Sequence, residues 1–560
     1  MMRYFILFLV SCLLNSLVWA QGAYVPLGSY SIHLLDRMEI KQGRLATPQE
    51  FTTSTKSYKR SDIAHFVDSF NVSNAQLSKQ DYFNLDYLQN DNFEYSSSEN
   101  TLSKRKIWGN EIYKHKAAFF DVVSPDFKLV VNPVAYQKIE YDRSLGESLY
   151  LNNRGMEIRG QIGKNVSFYT LFCDEIQKLN SWNQQFYNQF DVIPGKSFLK
   201  TEDKRTFNYW LSSGYLSYQA GKYFDIQVGH GRNFFGNGYR SLTMSDFAND
   251  LLFLRLNTRV WKIHYSNIWG QFIDYQPPSQ SRYPKRHYFA TTHASINITK
   301  RFNLGLFQTI SFQRDSGYAN AGFDMQYANP IIFYKPIENG LNSPDKAILG
   351  IDWKYNFMKH FSLYGQVVIS ELVFSELTSS RGWWGNKTAV QFGGKYIDIF
   401  NIKNLDLQLE YNRVRPYMYT SYNQQNAYVN YNQNMAHPIG ANFKESIAII
   451  RYQPVNKIFI TTKLIATTYG NDTNGSNWGT DIRPSYYSRV REYGNVIGQG
   501  VTTNLYIGEL LVSYMFRHNM FVDVQLTYRK TSSSLPQFTS ETINGGIAFR
   551  WNINARTVDF

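Results

Sequence analysis

The sequence predicts an all-β transmembrane barrel of about 18 antiparallel strands, preceded by an N-terminal periplasmic α-helical domain, and three observations carry that prediction. From about Phe127 onward apolar and polar residues alternate with a period of two. Short and long links alternate between those segments, as they do where tight turns lie on one side of a membrane and long loops on the other. The composition joins a negative mean hydropathy of -0.40 to 17% aromatic residues, with 42 Tyr, 40 Phe and 11 Trp. A barrel with a polar lumen and aromatic membrane rims has such a composition.

Three segments follow one another: a leader at 1–20, a helical domain at 21–116 and the barrel at 117–560. The leader carries Arg3, an apolar run from Tyr4 through Leu14, and small residues before a cleavage point ahead of Gln21. Cys12 lies inside it, away from the cleavage point, so lipoprotein processing is not expected. Cleavage leaves Cys173 alone and excludes an intramolecular disulfide. Past the leader no apolar run reaches about 18 residues, so helical membrane spans are excluded.

In the second segment Thr47-Pro48-Gln49-Glu50 has the N-cap, first-turn proline and third-position glutamate of a helix start. Ser61 precedes Ile63, Phe66, Val67 and Phe70, one face of a helix, and Ser78 with Asp81 precedes Tyr82, Leu85 and Leu88. These stripes must pack on one another or on the periplasmic opening of the barrel.

Eighteen alternating segments fall between about 127 and 553. Leu405, Leu407, Leu409 and Tyr411 alternate with Asp406, Gln408, Glu410 and Asn412. Val522, Val524 and Leu526 alternate with Asp523, Gln525 and Thr527, and Phe224, Ile226 and Val228 with Asp225, Gln227 and Gly229. One face meets lipid and the other a wet lumen. Eight tight turns, from Gly163-Lys164 to Arg517-His518, each hold a Lys or Arg. Those cations are either simply solvated or meet anionic headgroups. An even strand count with short periplasmic turns places both termini in the periplasm. Phe560 resembles the terminal signal read by outer-membrane barrel-insertion machinery.

The charge balance is +14, and loss of Arg3 with the leader makes it +13. It points to anionic partners, namely acidic polysaccharide, lipopolysaccharide and outer-membrane lipid, and with no concentrated basic run it excludes nucleic acid. No nucleophile elbow, zinc-helix motif, P-loop or cysteine pair is present, so no catalysis and no cofactor are expected. His287 and His293 share a strand face but stand about 20 Å apart, too far to hold one metal.

Candidate binding residues lie in three long links. The loop from Pro416 to Pro438 sets Tyr417, Tyr419, Tyr422, Tyr428 and Tyr431 among many Asn and Gln. Aromatic faces stack on sugar rings and carboxamides serve hydroxyls, although a low-complexity polar loop has the same composition. In Gly229–Leu242, four glycines hold Arg232, Asn233, Tyr239 and Arg240. Those arginines either fork onto the carboxylates of acidic sugars or pair with lumen carboxylates in a loop that constricts the barrel. Trp383 and Trp384 either form a sugar platform or join the aromatic girdle.

Beyond these features the chain resembles the Wzi-type capsule-assembly proteins, in particular the Bacteroidota branch with gliding-motility relatives. Tyr30–Ile40, Lys59–Ala64, Tyr82–Leu88, Asn237–Leu242 and Trp261–Ile263 carry the likeness. It implies an 18-stranded outer-membrane barrel with a periplasmic helical bundle, holding capsular or exopolysaccharide at the surface of a Gram-negative cell. Two other functions remain open on the sequence. One is an accessory part of gliding-motility or secretion machinery that binds other outer-membrane proteins, and the other is a diffusion porin.

Overall fold

The computed structural model describes residues 22–559 apart from 48–49, 71, 73–74, 97, 104–111, 200–202, 204, 275–284, 314–321, 332, 342–344, 474 and 558. The leader and Phe560 therefore lie outside the described residues, and so do Pro48 and Gln49.

Eighteen antiparallel strands close into one barrel. They are β1 (Phe127–Asp142), β2 (Glu147–Ile162), β3 (Val166–Lys178), β4 (Thr206–Ala220), β5 (Phe224–Gly231), β6 (Leu251–Val260), β7 (Ile263–Asp274), β8 (Lys285–Asn297) and β9 (Phe302–Phe312). The circuit continues with β10 (Lys346–Phe357), β11 (Phe361–Glu371), β12 (Lys387–Tyr396), β13 (Leu405–Val414), β14 (Phe443–Val455), β15 (Ile458–Asn471), β16 (Val501–Arg517), β17 (Met520–Ser533) and β18 (Ser540–Trp551). The seam pairs β18 with β1, from Asn544 opposite Asp142 to Trp551 opposite Ala135. All eighteen predicted segments are strands, with ends displaced by at most a few residues.

The burial pattern is that of a membrane barrel. Leu409, Phe392, Val524 and Ile547 point outward and are exposed, whereas Asp406, Gln408, Glu410, Asp523 and Gln525 point inward and are buried. Water would favour the opposite arrangement, so the apolar outer wall is suited to lipid. Among the described residues no helix is long and apolar enough to cross a membrane.

A helical domain caps the end of the barrel that carries the tight turns. Helix α1 (Tyr30–Gln42) starts at Ser29 and stops at Gly43, whose φ of 65° places it in the left-handed region. Helix α2 (Arg60–Asp68) and helix α3 (Lys79–Asp91) were legible in the sequence, and Ser78 and Asp81 close a reciprocal capping box on α3. Leu35 and Met38 of α1, Ile63 and Phe66 of α2 and Leu88 of α3 share one core. The helix expected after Thr47 is not seen among the described residues. The Glu50 carboxylate accepts from Thr47 N at 2.7 Å and also pairs with Arg44, and the chain from Phe51 to Ser54 is irregular.

The domain grips the turns around most of the rim. Leu45 N donates to Lys300 O at 2.8 Å, Gln80 to Pro454 O at 2.8 Å and Tyr87 to Asn519 at 2.6 Å, while Arg259 pairs with Asp62 at 2.7 Å. Some turn cations thus face the helical cap and not headgroups. Charged residues seal the joint. Arg37 lies within 2.9 Å of Asp81 and 2.5 Å of Asp398 and also pairs with Asp406, and Lys41 bridges Asp81 and Asp398 at 2.7 and 2.8 Å. Burial works to raise the Asp81 carboxyl, but Arg37 and Lys41 outweigh it and hold that group at about 2. Beside them, burial and the Arg451 charge push the His33 imidazole down to about 4, against the pull of Asp406 3.2 Å away.

One loop leaves the lumen alone and lies on the outer wall. Asn267, Thr292 and Gln308 are successive cross-strand partners on β7, β8 and β9, and Gln308 shares its face with exposed Leu306. All three are buried because the chain at 322–341, including helix α4 (Tyr334–Leu341), folds over them. Tyr334 N donates to Gln308 at 3.0 Å and Trp269 Nε1 to Tyr327 O at 3.0 Å. This cover satisfies polar groups that lipid could not.

Candidate functional site

The lumen is filled from both ends. From the capped end, Thr55 and Lys56 of the helical domain reach inward and pair antiparallel with Phe234 and Phe235 of the glycine-rich loop, and Gly236 N donates to Ser54 O at 2.7 Å. The glycine-rich loop descends from the other end and is organised by Glu410. That carboxylate accepts from Tyr239 N at 2.6 Å, Arg240 N at 3.0 Å and the Tyr364 hydroxyl at 2.9 Å. Two glycines make the close approach possible. A Cβ on Gly238 would stand 2.7 Å from Glu410 Oε2, and Gly236 has a φ of 121° with Gln366 against it.

Arg240 and Arg232 are engaged within the protein. Arg240 lies 3.3 Å from both Glu445 and Asp559, and Arg232 pairs with Asp250 at 3.0 Å and donates to the Gly195 and Asp246 carbonyls. Asn233 is buried and accepts from Arg255. The Tyr239 hydroxyl meets Asp559 and Lys463. The loop thus folds into the barrel with its arginines paired to Asp250, Glu445 and Asp559, while Arg232, Tyr239 and Arg240 also line a cavity.

The tyrosine-rich loop also turns inward for most of its length. Tyr417, Tyr419 and Tyr428 are fully buried, and the last two join a core that includes Phe235, Leu242, Phe272 and Phe289. The Tyr419 hydroxyl donates to Leu242 O at 2.7 Å, which ties this loop to the glycine-rich one. The carboxamides act as staples between loops: Gln433 accepts from Gly195 N at 2.6 Å, and Asn432 donates to Phe190 O at 2.9 Å. Tyr431 is half-buried against Phe198, with ring centres 5.3 Å apart. Tyr417, Tyr419 and Tyr428 offer no free face to an external sugar, because apolar burial and loop-to-loop hydrogen bonds use the same residue types, whereas Tyr431 is only partly covered.

Tyr422 differs. It is 47% exposed and joins a surface at the long-loop end built from three loops. Its ring stands 5.0 Å from Tyr487, edge to face, and Tyr487 is 65% exposed. Tyr486 lies 5.3 Å from Tyr487 and 4.9 Å from Trp384. The Arg489 guanidinium sits 4.2 Å from the Trp384 ring, and Lys387 Nζ lies 4.1 Å from that of Tyr486. Burial, with Glu371 and Tyr487 nearby, pushes the Tyr486 hydroxyl up to about 12, so it remains a neutral donor and acceptor. Trp383, 6.0 Å from Trp384, is half-buried beside this cluster. Tyr486, Tyr487 and Arg489 were missed in the sequence, where the doublet Tyr486-Tyr487 was the available signal.

Among the described residues no group of three His, Cys, Asp or Glu side chains could hold a metal ion. His293 pairs with Asp352 at 2.6 Å on the lumen face.

Strands, cap and folded-in loops together define a class: a transmembrane β-barrel closed at one mouth by a helical domain and filled from the other by its own loops. The chain belongs to the Wzi family, described as "Capsule assembly protein Wzi", which matches residues 137–544. Among solved structures it is similar to Wzi of Escherichia coli, described as an outer-membrane protein involved in group 1 capsule assembly and a carbohydrate-binding β-barrel. Identity is 10%, coverage is 95% of this chain and 100% of that one, and the TM-score is 0.58. OprD of Pseudomonas aeruginosa also matches, at 9% identity over 76% of this chain and 94% of that one, with a TM-score of 0.42. No curated protein sequence matches the chain.

Proposed function

We propose that this protein is a non-enzymatic anchor that binds acidic capsular or exopolysaccharide at the cell surface from the outer membrane. In this reading the tight turns, helical cap and both termini face the periplasm, and lipid and lipopolysaccharide surround the wall. The exposed Tyr422 and Tyr487, with the half-buried Tyr486 beside Trp384 and Arg489, carry the reading. Flat rings stack on sugar C–H faces, and cations beside them favour an acidic chain, in keeping with the balance of +14. Family membership and the filled lumen support it, and the filling weighs against a diffusion porin. Loss of the gene should release polysaccharide into the medium while synthesis continues. A deletion strain that keeps all its surface glycan would refute this function.

One observation favours a second reading, an accessory role in motility or secretion machinery. Ile331, which is 81% exposed, and Phe333 lie on the loop that covers the outer wall and offer a protein partner an apolar surface. Mild-detergent purification that recovers no other outer-membrane protein would count against it.

A further inference from the structure

Among the described residues the filling leaves a sizeable space. A cavity of about 700 Å³ runs along the wall formed by β1 to β6, from Lys178 and Asn180 at the loop end to Tyr24 of the helical domain. Its size falls within the roughly 300–1,000 Å³ of small-ligand sites.

At its middle stand Arg255 and Gln227, which are cross-strand partners on β6 and β5. Arg255 is 4% exposed and Gln227 2%. The only hydrogen bond of Arg255 among the described residues goes from Nη2 to the Asn233 amide oxygen, and no carboxylate there lies within ion-pair distance of it. Asp225, the acid one step along the strand, is occupied by Lys59, by Ser217 at 3.0 Å and by the Tyr24 hydroxyl at 3.3 Å. Arg255 Nε and Gln227 Oε1 have no hydrogen-bond partner among the described residues. A buried guanidinium without a counter-charge is costly, and one facing a cavity is a site prepared for an anion.

The walls add a platform. Tyr24, Tyr169 and Tyr215 line the same space, with Tyr169 and Tyr215 stacked 5.4 Å apart and Tyr24 set edge-on to Tyr215 at 5.7 Å. Gly229 leaves room over the Tyr215 side chain, which a Cβ would approach to 2.7 Å. Rings, an amide oxygen for a hydroxyl and a free guanidinium N–H form the chemistry that recognises a sugar bearing a negative group.

We infer that this cavity holds one acidic sugar unit, its carboxylate or phosphate against Arg255 and a hydroxyl against Gln227. The inference rests on the polysaccharide reading and adds to it an internal subsite, separate from the loop-end surface.

The test is calorimetric titration of the purified barrel in detergent with sodium glucuronate, glucose 6-phosphate, glucose and inorganic phosphate. One or both of the acidic sugars should bind, and glucose and phosphate alone should bind at least about tenfold more weakly. Arg255→Gln should abolish the difference between acidic and neutral sugar. Gln227→Leu should weaken the acidic sugar and leave phosphate unaffected. Because Arg255→Gln removes an uncompensated buried charge, the variant should melt no lower than the parent, and heat-modifiable gel migration reports its folding. Phosphate binding as tightly as the sugars overturns the inference, as does failure of both acidic sugars to bind or binding indifferent to Arg255→Gln. Surface polysaccharide retained by cells carrying Arg255→Gln, together with failed titrations, would sink the subsite alone. Polysaccharide lost to the medium at wild-type levels in a deletion strain would sink the parent reading.

Discussion

Arg37 is the place to pull the helical cap from the barrel. It is buried, and it faces three aspartates, Asp81 on the cap and Asp398 and Asp406 on the barrel, with Lys41 as the other buried cation bridging two of them. Arg37→Met leaves those carboxylates with Lys41 on Asp81 and Asp398 and the His33 imidazole beside Asp406. Breaking a buried pair in this way costs about 3–5 kcal/mol, or two to four orders of magnitude in the ratio of docked to released cap. The barrel's own ladder is untouched, so strand content and heat-modifiability should be unchanged. The assay is limited proteolysis under conditions where cleavage is slower than reclosing, so that the rate follows the open population. Residues 22–95 should become cleavable at least a hundredfold faster while the barrel resists. Arg37→Met combined with Asp398→Asn removes one stranded carboxylate and should recover part of the loss. Cleavage of Arg37→Met at the parental rate would refute this account, and so would a double variant as labile as the single one.

Three other outcomes follow from the same structure. His33 is held neutral at about 4 in the docked cap and titrates near 6.5 when released, so docking is strongest above 6.5 and weakens by about 3 kcal/mol as pH falls to 4. Protease sensitivity of the cap should rise across that window and much less so in His33→Gln. Leu409→Arg sets a charge on the lipid face and should cost about 2–4 kcal/mol in unfolding from bilayers, where a polar change at a loop tip costs little. Gly236→Ala meets both a φ of 121° and the Gln366 side chain, and should lower stability by about 2 kcal/mol by denaturant titration.

The barrel was legible because lipid and lumen impose a strict period of two, which nothing else in the chain imitates. Alternation alone assigns Asp406, Gln408 and Glu410 to the lumen face, and they point inward. Helix α1 gave no such signal, since Asp36, Arg37, Glu39 and Lys41 are buried against barrel charges and blur the apolar stripe formed by Leu34, Leu35 and Met38. The Thr47–Glu50 pattern lies partly outside the described residues, and the described chain from Phe51 to Ser54 is not helical. Tyr417, Tyr419 and Tyr428 have the composition of a sugar platform because a filled lumen draws on the same aromatic and amide residues. Only a position in space separates them from Tyr422, which is exposed. Arg255 could not be singled out at all, since what distinguishes it is the lack of an acid nearby.

The grip of the helical cap also dictates an order of events. Its partners include Arg259, Lys300, Asp398, Asn404, Pro454 and Asn519, which are separated by up to 260 residues of chain yet lie around one rim. That rim does not exist until the strands have paired, and contacts of such long sequence separation are slow to form. The segment that precedes the barrel in the chain is therefore the last to find its place, and the finished ring serves as its template.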